Sequence, residues 1–166
     1  YAGSALGSEL RFVKFIHQQF FFRTVKENVV LASAFRLGTA TGFGDGLILS
    51  ERFFVGGGTS VRGFAEDGLG ATNYFDEAGG GASSLVVNQE VRFPIYDWIR
   101  GVAFFDAGNV FTLASDMRPF ELEAGAGFGL RITTPFGLAR IDYGMPITRR
   151  GLEPFGRWYF SLGQAF

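Results

Sequence analysis

Glu121 and Glu123, two residues apart, and His17, the single histidine, are the side chains from which acid–base or metal chemistry would start. On a strand the two carboxylates share one face, which lines a wet wall more often than it performs proton transfer. One histidine supplies too few parts for a metal site or a triad, and reads as a lumen or turn residue. No Gly-x-Ser-x-Gly elbow is present, and cysteine is absent, which removes thiol chemistry and disulfides. Gly56-Gly57-Gly58 resembles a phosphate cradle in composition, but neither Gly-Lys-Ser/Thr nor a helical pattern follows it. Gly125, Gly127 and Gly129 lie inside a strand pattern, where glycine admits a bend or the close approach of another backbone. These residues point to a protein that is not an enzyme, with no metal and no cofactor. What stands out instead is one cation, Arg62, in Glu51-Arg52-Phe53-Phe54-Val55-Gly56-Gly57-Gly58-Thr59-Ser60-Val61-Arg62-Gly63-Phe64. Taken alone, it reads as a solvated loop residue.

The charges nearly cancel, with 15 Lys and Arg against 16 Asp and Glu, so electrostatic steering of nucleic acid has no basis. No apolar run reaches the roughly 18 residues of a membrane helix. Membrane barrels escape that test, because their strands alternate apolar and polar side chains. The length suits one domain, residues 1–166. The chain opens at Tyr1 without a methionine or signal peptide, as a fragment or processed product would.

The elements around Arg62 read as antiparallel strands. Leu10 to Arg23 is rich in Phe and favours a strand over a helix, although its alternation is imperfect. Thr24 to Asn28 is a polar turn. Val29, Leu31, Phe35 and Leu37 then face one way, and Ala32, Ala34, Arg36 and Gly38 the other. A Gly-rich insertion, about 44–82, holds the Arg62 segment. Beyond it Leu85, Val87, Val91 and Phe93 alternate with Ser84, Asn88, Glu90 and Arg92, until Pro94 and Tyr96-Asp97 make a turn. Ile99 to Phe111 is the next strand. Phe120, Leu122, Ala124, Ala126, Phe128, Leu130 and Ile132 form a long apolar line opposite Glu121, Glu123, three glycines, Arg131 and Thr133. Pro135-Phe136-Gly137 turns into a strand with Ala139, Ile141, Tyr143 and Met145 on one face, and Arg157 to Phe166 ends the chain.

That makes about seven strands, or eight with the N-terminus, in an all-β antiparallel fold. Short turns alternate with long connections, as in outer-membrane barrels, and the charges sit on the small-residue faces, as a wet lumen needs. A soluble β-sandwich shares the alternation and the turns.

Several segments, in order, resemble the C-terminal part of the BamA superfamily of outer-membrane assembly and translocation barrels, the bacterial surface antigen family. Glu51 to Phe54 with Gly56-Gly57 and Val61-Arg62-Gly63-Phe64 resembles the family's inward-folding loop and its Val-Arg-Gly-Phe/Tyr tip. Phe104-Phe105-Asp106-Ala107-Gly108-Asn109-Val110 resembles a strand motif. Leu130 to Gly137 with Arg140-Ile141-Asp142-Tyr143-Gly144 resembles the penultimate hairpin. Ser161-Leu162-Gly163-Gln164-Ala165-Phe166 resembles the C-terminal targeting signal.

The resemblance implies a transmembrane β-barrel, of which this chain is the second half of a sixteen-stranded one, with no POTRA domain of its own. It implies an inward loop hinged at Gly56 and Gly57 and anchored by Arg62, Gly63 and Phe64 on Glu90 and Asp106, with Phe104 as an apolar platform. The parity of Asp106 with Val102 and Phe104 leaves open whether it faces the lumen. Gly163 and Phe166 would form the targeting and seam segment. The implied activity is insertion of outer-membrane proteins from a seam in the barrel, in a bacterial outer membrane. Its partners would be the lipid bilayer, unfolded outer-membrane clients, and barrel strands or POTRA domains outside this chain. Two other readings fit the same fold: a two-partner-secretion or other translocation pore, and the membrane anchor of a passenger domain.

Overall fold

In a computed structural model, residues 12–43, 47–71, 79–135, 137–148 and 155–163 are described. They form seven strands: β1 Phe12–Lys26, β2 Val29–Gly42, β3 Ser83–Tyr96, β4 Ile99–Phe111, β5 Glu123–Thr134, β6 Gly137–Pro146 and β7 Arg157–Leu162. Each pairs antiparallel with the next in one sheet. The sheet is not closed on itself, since β1 and β7 each have one neighbour among the described strands. Strands β1 to β6 are 10 to 15 residues long. That matches or exceeds the roughly 9–11 residues a tilted strand needs to cross a bilayer.

The short turns lie at one end of the sheet and the long connections at the other. Asn28 takes a left-handed conformation in the first turn (φ 62), which Asn tolerates better than most residues. The first strand runs past the expected turn to Lys26, absorbing the extra length in a register shift at Thr24/Lys26, so the turn contracts to Glu27-Asn28. Two residues join β5 to β6 across the Thr134–Gly137 pair.

The alternation sorts the two faces. Phe35, Val91, Phe105, Phe128 and Leu130 are exposed on the outer face, while Ala32, Ala34, Asn88, Glu90, Asp106, Arg131, Arg140 and Asp142 are buried on the inner one. On the outside, Phe128, Tyr143, Trp158 and Phe160 form a continuous row of ring contacts across β5, β6 and β7. Two polar outer-face residues satisfy each other, Ser33 Oγ donating to Gln89 Oε1 at 2.8 Å, as a group without water requires.

Three expectations need correcting. The apolar line does not begin at Phe120: β5 starts at Glu123, and Phe120 is fully exposed in the preceding connection. Glu121 and Glu123 therefore do not share a strand face. Glu121 pairs with Arg118 in the exposed connection, and Glu123 is buried. His17 is neither a lumen nor a turn residue. It pairs in register with Leu37, and its ring lies 6.2 Å from that of Phe35 on the outer face. The same register turns Ile16, Phe20 and Phe22 inward, which explains the imperfect alternation of β1.

Candidate functional site: a buried arginine between loop and wall

Residues 47–71 and 79–82 of the insertion lie across the inner face with a small core of their own. Val55, Val61, Phe64 and Leu69 pack on Val86 of β3 and Val110 of β4. Two bridges, Phe53–Gly81 and Val55–Leu69, close it as a double loop. Gly56 (φ 127), Gly57 (φ 89) and Gly63 (φ 106) adopt conformations that side chains rarely take, so the hinge and the tip need glycine. Ser60 tightens the hinge, its Oγ accepting from Gly56 N–H and donating to Gly56 C=O at 2.7 Å each. The base of the segment meets β1 through the Lys14–Glu51 pair at 3.4 Å.

The tip drives Arg62 into the wall, where its side chain is 2% exposed. Nε and Nη2 donate to the two oxygens of Asp106 at 2.6 and 2.8 Å, a planar fork on a planar carboxylate. Nη1 donates to Glu90 at 2.7 Å and to Asp142 at 3.1 Å. The backbone N–H of Arg62 also donates to Asp106, at 3.1 Å. Beneath the guanidinium carbon lies the ring of Phe104, its centroid 3.5 Å away, so cation–π attraction adds to the ion pairs. Burial alone would lower the Arg62 pKa. The hydrogen bond and charge of Asp106, then the charges of Glu90 and Asp142, outweigh it, and the pKa rises above its ordinary value. Arg62 is thus a permanent cation.

The wall is built to receive the tip. A Cβ on Gly125 would lie 1.9 Å from the Arg62 carbonyl oxygen, and one on Gly144 would lie 2.7 Å from the Gly63 nitrogen. Gly129 leaves room for the Asp142 carboxylate, and Gly127 for the edge of Phe104. Around the tip, Arg36 Nη1 and Arg140 Nη2 donate to the carbonyls of Thr59 and Gly58 at 2.8 and 2.6 Å. Asn88 Nδ2 donates to the Ser60 carbonyl at 2.6 Å and to Asp106 at 2.7 Å. The hydroxyl of Tyr159 accepts from Gly63 N–H at 2.9 Å and donates to the Phe64 carbonyl at 2.6 Å.

Three carboxylates face four arginines in these ion pairs, so Glu90 and Asp142 are each shared among several cations. Arg131 and Arg140 sit directly opposite each other on β5 and β6, a repulsive placement that Asp142 relieves by bridging both. Glu90 in turn meets Arg92 at 2.8 Å and Arg131 at 3.2 Å. Among the described residues no cluster of His, Cys, Asp and Glu is suited to a metal ion.

The model of the Omp85 superfamily domain matches residues 1–166, the entire chain. The chain belongs to the Omp85 superfamily. It is 29% identical over 180 aligned positions to the outer membrane protein assembly factor BamA of Nitratidesulfovibrio vulgaris, covering 100% of this chain and 22% of that protein. It is 30% identical over 121 positions to the chloroplastic outer envelope protein 80 of Arabidopsis thaliana, covering 68% of this chain and 15% of that one. The crystal structure of BamA from Haemophilus ducreyi lacking POTRA domains 1–3 has the same fold, with a TM-score of 0.69 over 90% of this chain and 34% of that one, at 21% identity. This Omp85 chain thus spans a minor part of the relatives it matches. Its strands are those of an integral outer-membrane β-barrel.

Within this Omp85 sheet the structure places Arg62, Glu90, Asp106 and Phe104 together, with Asp106 facing inward, the point that parity left open. Gly63 and Phe64 lie at the tip, and Gly56 and Gly57 at its base. Gly163 lies just past β7 in a left-handed conformation (φ 109), its N–H still donating to the Leu138 carbonyl at 2.7 Å. The described strand spans Arg157–Leu162 and Gly163 bends away from it, while the rest of the expected last strand, Phe166 included, lies outside the described residues. Sequence reasoning missed Asp142, Arg131, Arg140, Asn88 and Tyr159. Part of their signal was available, since each lies on the strand face opposite an apolar row, but the partners each meets depend on the register between strands.

Proposed function

We propose that this chain is the loop-bearing part of a barrel that inserts other proteins into the outer membrane. In this reading the Arg62 tip braces the wall while an edge near β7 opens to a client strand. The observation that carries it is the single guanidinium held by carboxylates from β3, β4 and β6 at 2.7, 2.6 and 3.1 Å. A brace joining strands that far apart in the sheet keeps their curvature fixed while β7, at its margin, moves. Similarity along the whole chain to assembly factors of the outer membrane supports the choice of activity. A client would add to the edge by main-chain hydrogen bonds, the one form of pairing that bilayer interior tolerates. Unfolded outer-membrane proteins and the lipid bilayer are then the partners, joined by further strands and POTRA domains.

The test is reconstitution of the full-length protein in phospholipid vesicles, followed by the folding of an unfolded outer-membrane protein added from outside. Arg62→Ala should slow client folding at least ten-fold and lower the temperature at which the barrel loses its compact mobility on gels. Unchanged mobility together with retained client folding would refute the brace. A second reading, a secretion pore plugged by the loop, draws on the segment's position across the inner face. It predicts that Arg62→Ala raises ion conductance in a planar bilayer without affecting client folding.

A further inference from the structure

Tyr159, on β7, reaches the loop tip, and its geometry does more than fill space. It points inward from β7, directly opposite Asp142, itself a partner of Arg62. Its ring packs on Gly58, where an added Cβ would lie 3.0 Å from the ring edge, so the glycine next to the hinge makes room for the tyrosine. Its hydroxyl then takes both polar groups of the tip backbone, the N–H of Gly63 and the C=O of Phe64, at 2.9 and 2.6 Å. A phenol is one of the few side chains able to donate and accept at once from a rigid apolar stem. Serine or threonine would be too short to reach from the strand.

The setting makes these two bonds matter. Among the described residues six pairs join β7 to β6, with the Gly163 N–H bond to Leu138 just beyond them, against ten between β5 and β6. The outward residues of β7 (Trp158, Phe160 and Leu162) are exposed and contribute little inward packing. Beside the ring lies an open cleft of about 500 Å³, bounded in part by Glu66, Arg140, Arg157 and Ser161, so the side chain has room to swing clear.

We propose that Tyr159 is a positioning residue that couples β7 to the loop tip: the strand cannot shift against β6 without releasing Gly63 and Phe64, and a displaced tip loosens the strand. This rests on the braced-loop reading and adds the mechanical link between brace and moving edge. A tyrosine that merely fills a gap would act through its ring, whereas this coupling acts through its hydroxyl.

Tyr159→Phe separates the two, since it keeps the ring and removes the oxygen. The measurement is amide hydrogen exchange, read by mass spectrometry on the full-length protein in bilayer nanodiscs. Loss of both bonds should speed exchange of β7 and of residues 63–64 together by about ten-fold, while β3 and β4 stay unchanged. Loosening the tip with Arg62→Lys should speed β7 exchange when Tyr159 is present and have no further effect in the Tyr159→Phe background. Unchanged exchange in Tyr159→Phe, or acceleration confined to one of the two segments, would overturn the coupling. Full client folding by Arg62→Ala would instead strike the braced-loop reading alone, leaving the link between β7 and the tip to be judged by exchange.

Discussion

Asp106 makes its salt bridge to Arg62 at 2.6 Å, whereas Glu90 and Asp142 each also meet other arginines of the wall. Removing Arg62 therefore falls hardest on Asp106, which is fully buried. Arg62→Ala should cost about 3–5 kcal/mol, the usual penalty for stranding a buried partner. Arg62→Lys should recover only part of that, because an ammonium cannot offer a planar fork to both oxygens of Asp106. Denaturant unfolding of the full-length protein in vesicles measures both. Asp142→Asn should cost on the order of 3 kcal/mol by the same assay, since it leaves Arg131 and Arg140 facing each other. Glu121→Gln, in its exposed pair with Arg118, should change stability by less than about 0.5 kcal/mol. At this scale the sequence was half legible. Arg62, Glu90 and Asp106 came from resemblance to a family, and no local pattern distinguishes Arg62 from a solvated loop residue. Asp142 was overlooked because its role depends on register: only when β5 and β6 are aligned does it fall between Arg131 and Arg140.

The loop and the strands were legible to different degrees, for one physical reason. A strand buried on one face writes its orientation into alternate residues. Strands β2 to β6 could thus be placed closely, with β5 as the exception, where apolar Phe120 and Leu122 continue the pattern past the strand's start. In β1 large apolar residues occupy both faces, and parity gave no answer. The loop residues 47–71 and 79–82 have no period at all, so their path over the inner face was not derivable from spacing. What the sequence did carry were the glycines of the opposing wall. Gly125→Ala and Gly144→Ala should each displace the tip, because the new methyl would overlap the Arg62 and Gly63 backbone. Limited proteolysis of the folded protein should then cut the segment around residues 58–64 several-fold faster than in the unaltered chain. Ala126→Ser, on the outer face of the same strand, should leave the cleavage rate unchanged.

As a whole, the molecule is a sheet with two environments: a polar, glycine-lined face covered by the loop, and an aromatic face with no covering element among the described residues. Sequence alternation announced both faces, but not that the described strands leave the sheet open. Lipid on the outer side makes a definite demand. Phe105→Arg on that face should lower folding stability in vesicles by roughly 2–4 kcal/mol near the bilayer midplane, less toward either end of the strand. The central claim is that one arginine ties loop to wall, and a double-mutant cycle reads that tie directly. Arg62→Ala, Asp106→Asn and their combination, unfolded in vesicles at full length, should show a coupling of about 2 kcal/mol or more, with the double variant more stable than the sum of the single losses implies. Losses that add to within about 0.5 kcal/mol would mean that the two groups do not hold each other, and the tie would be gone.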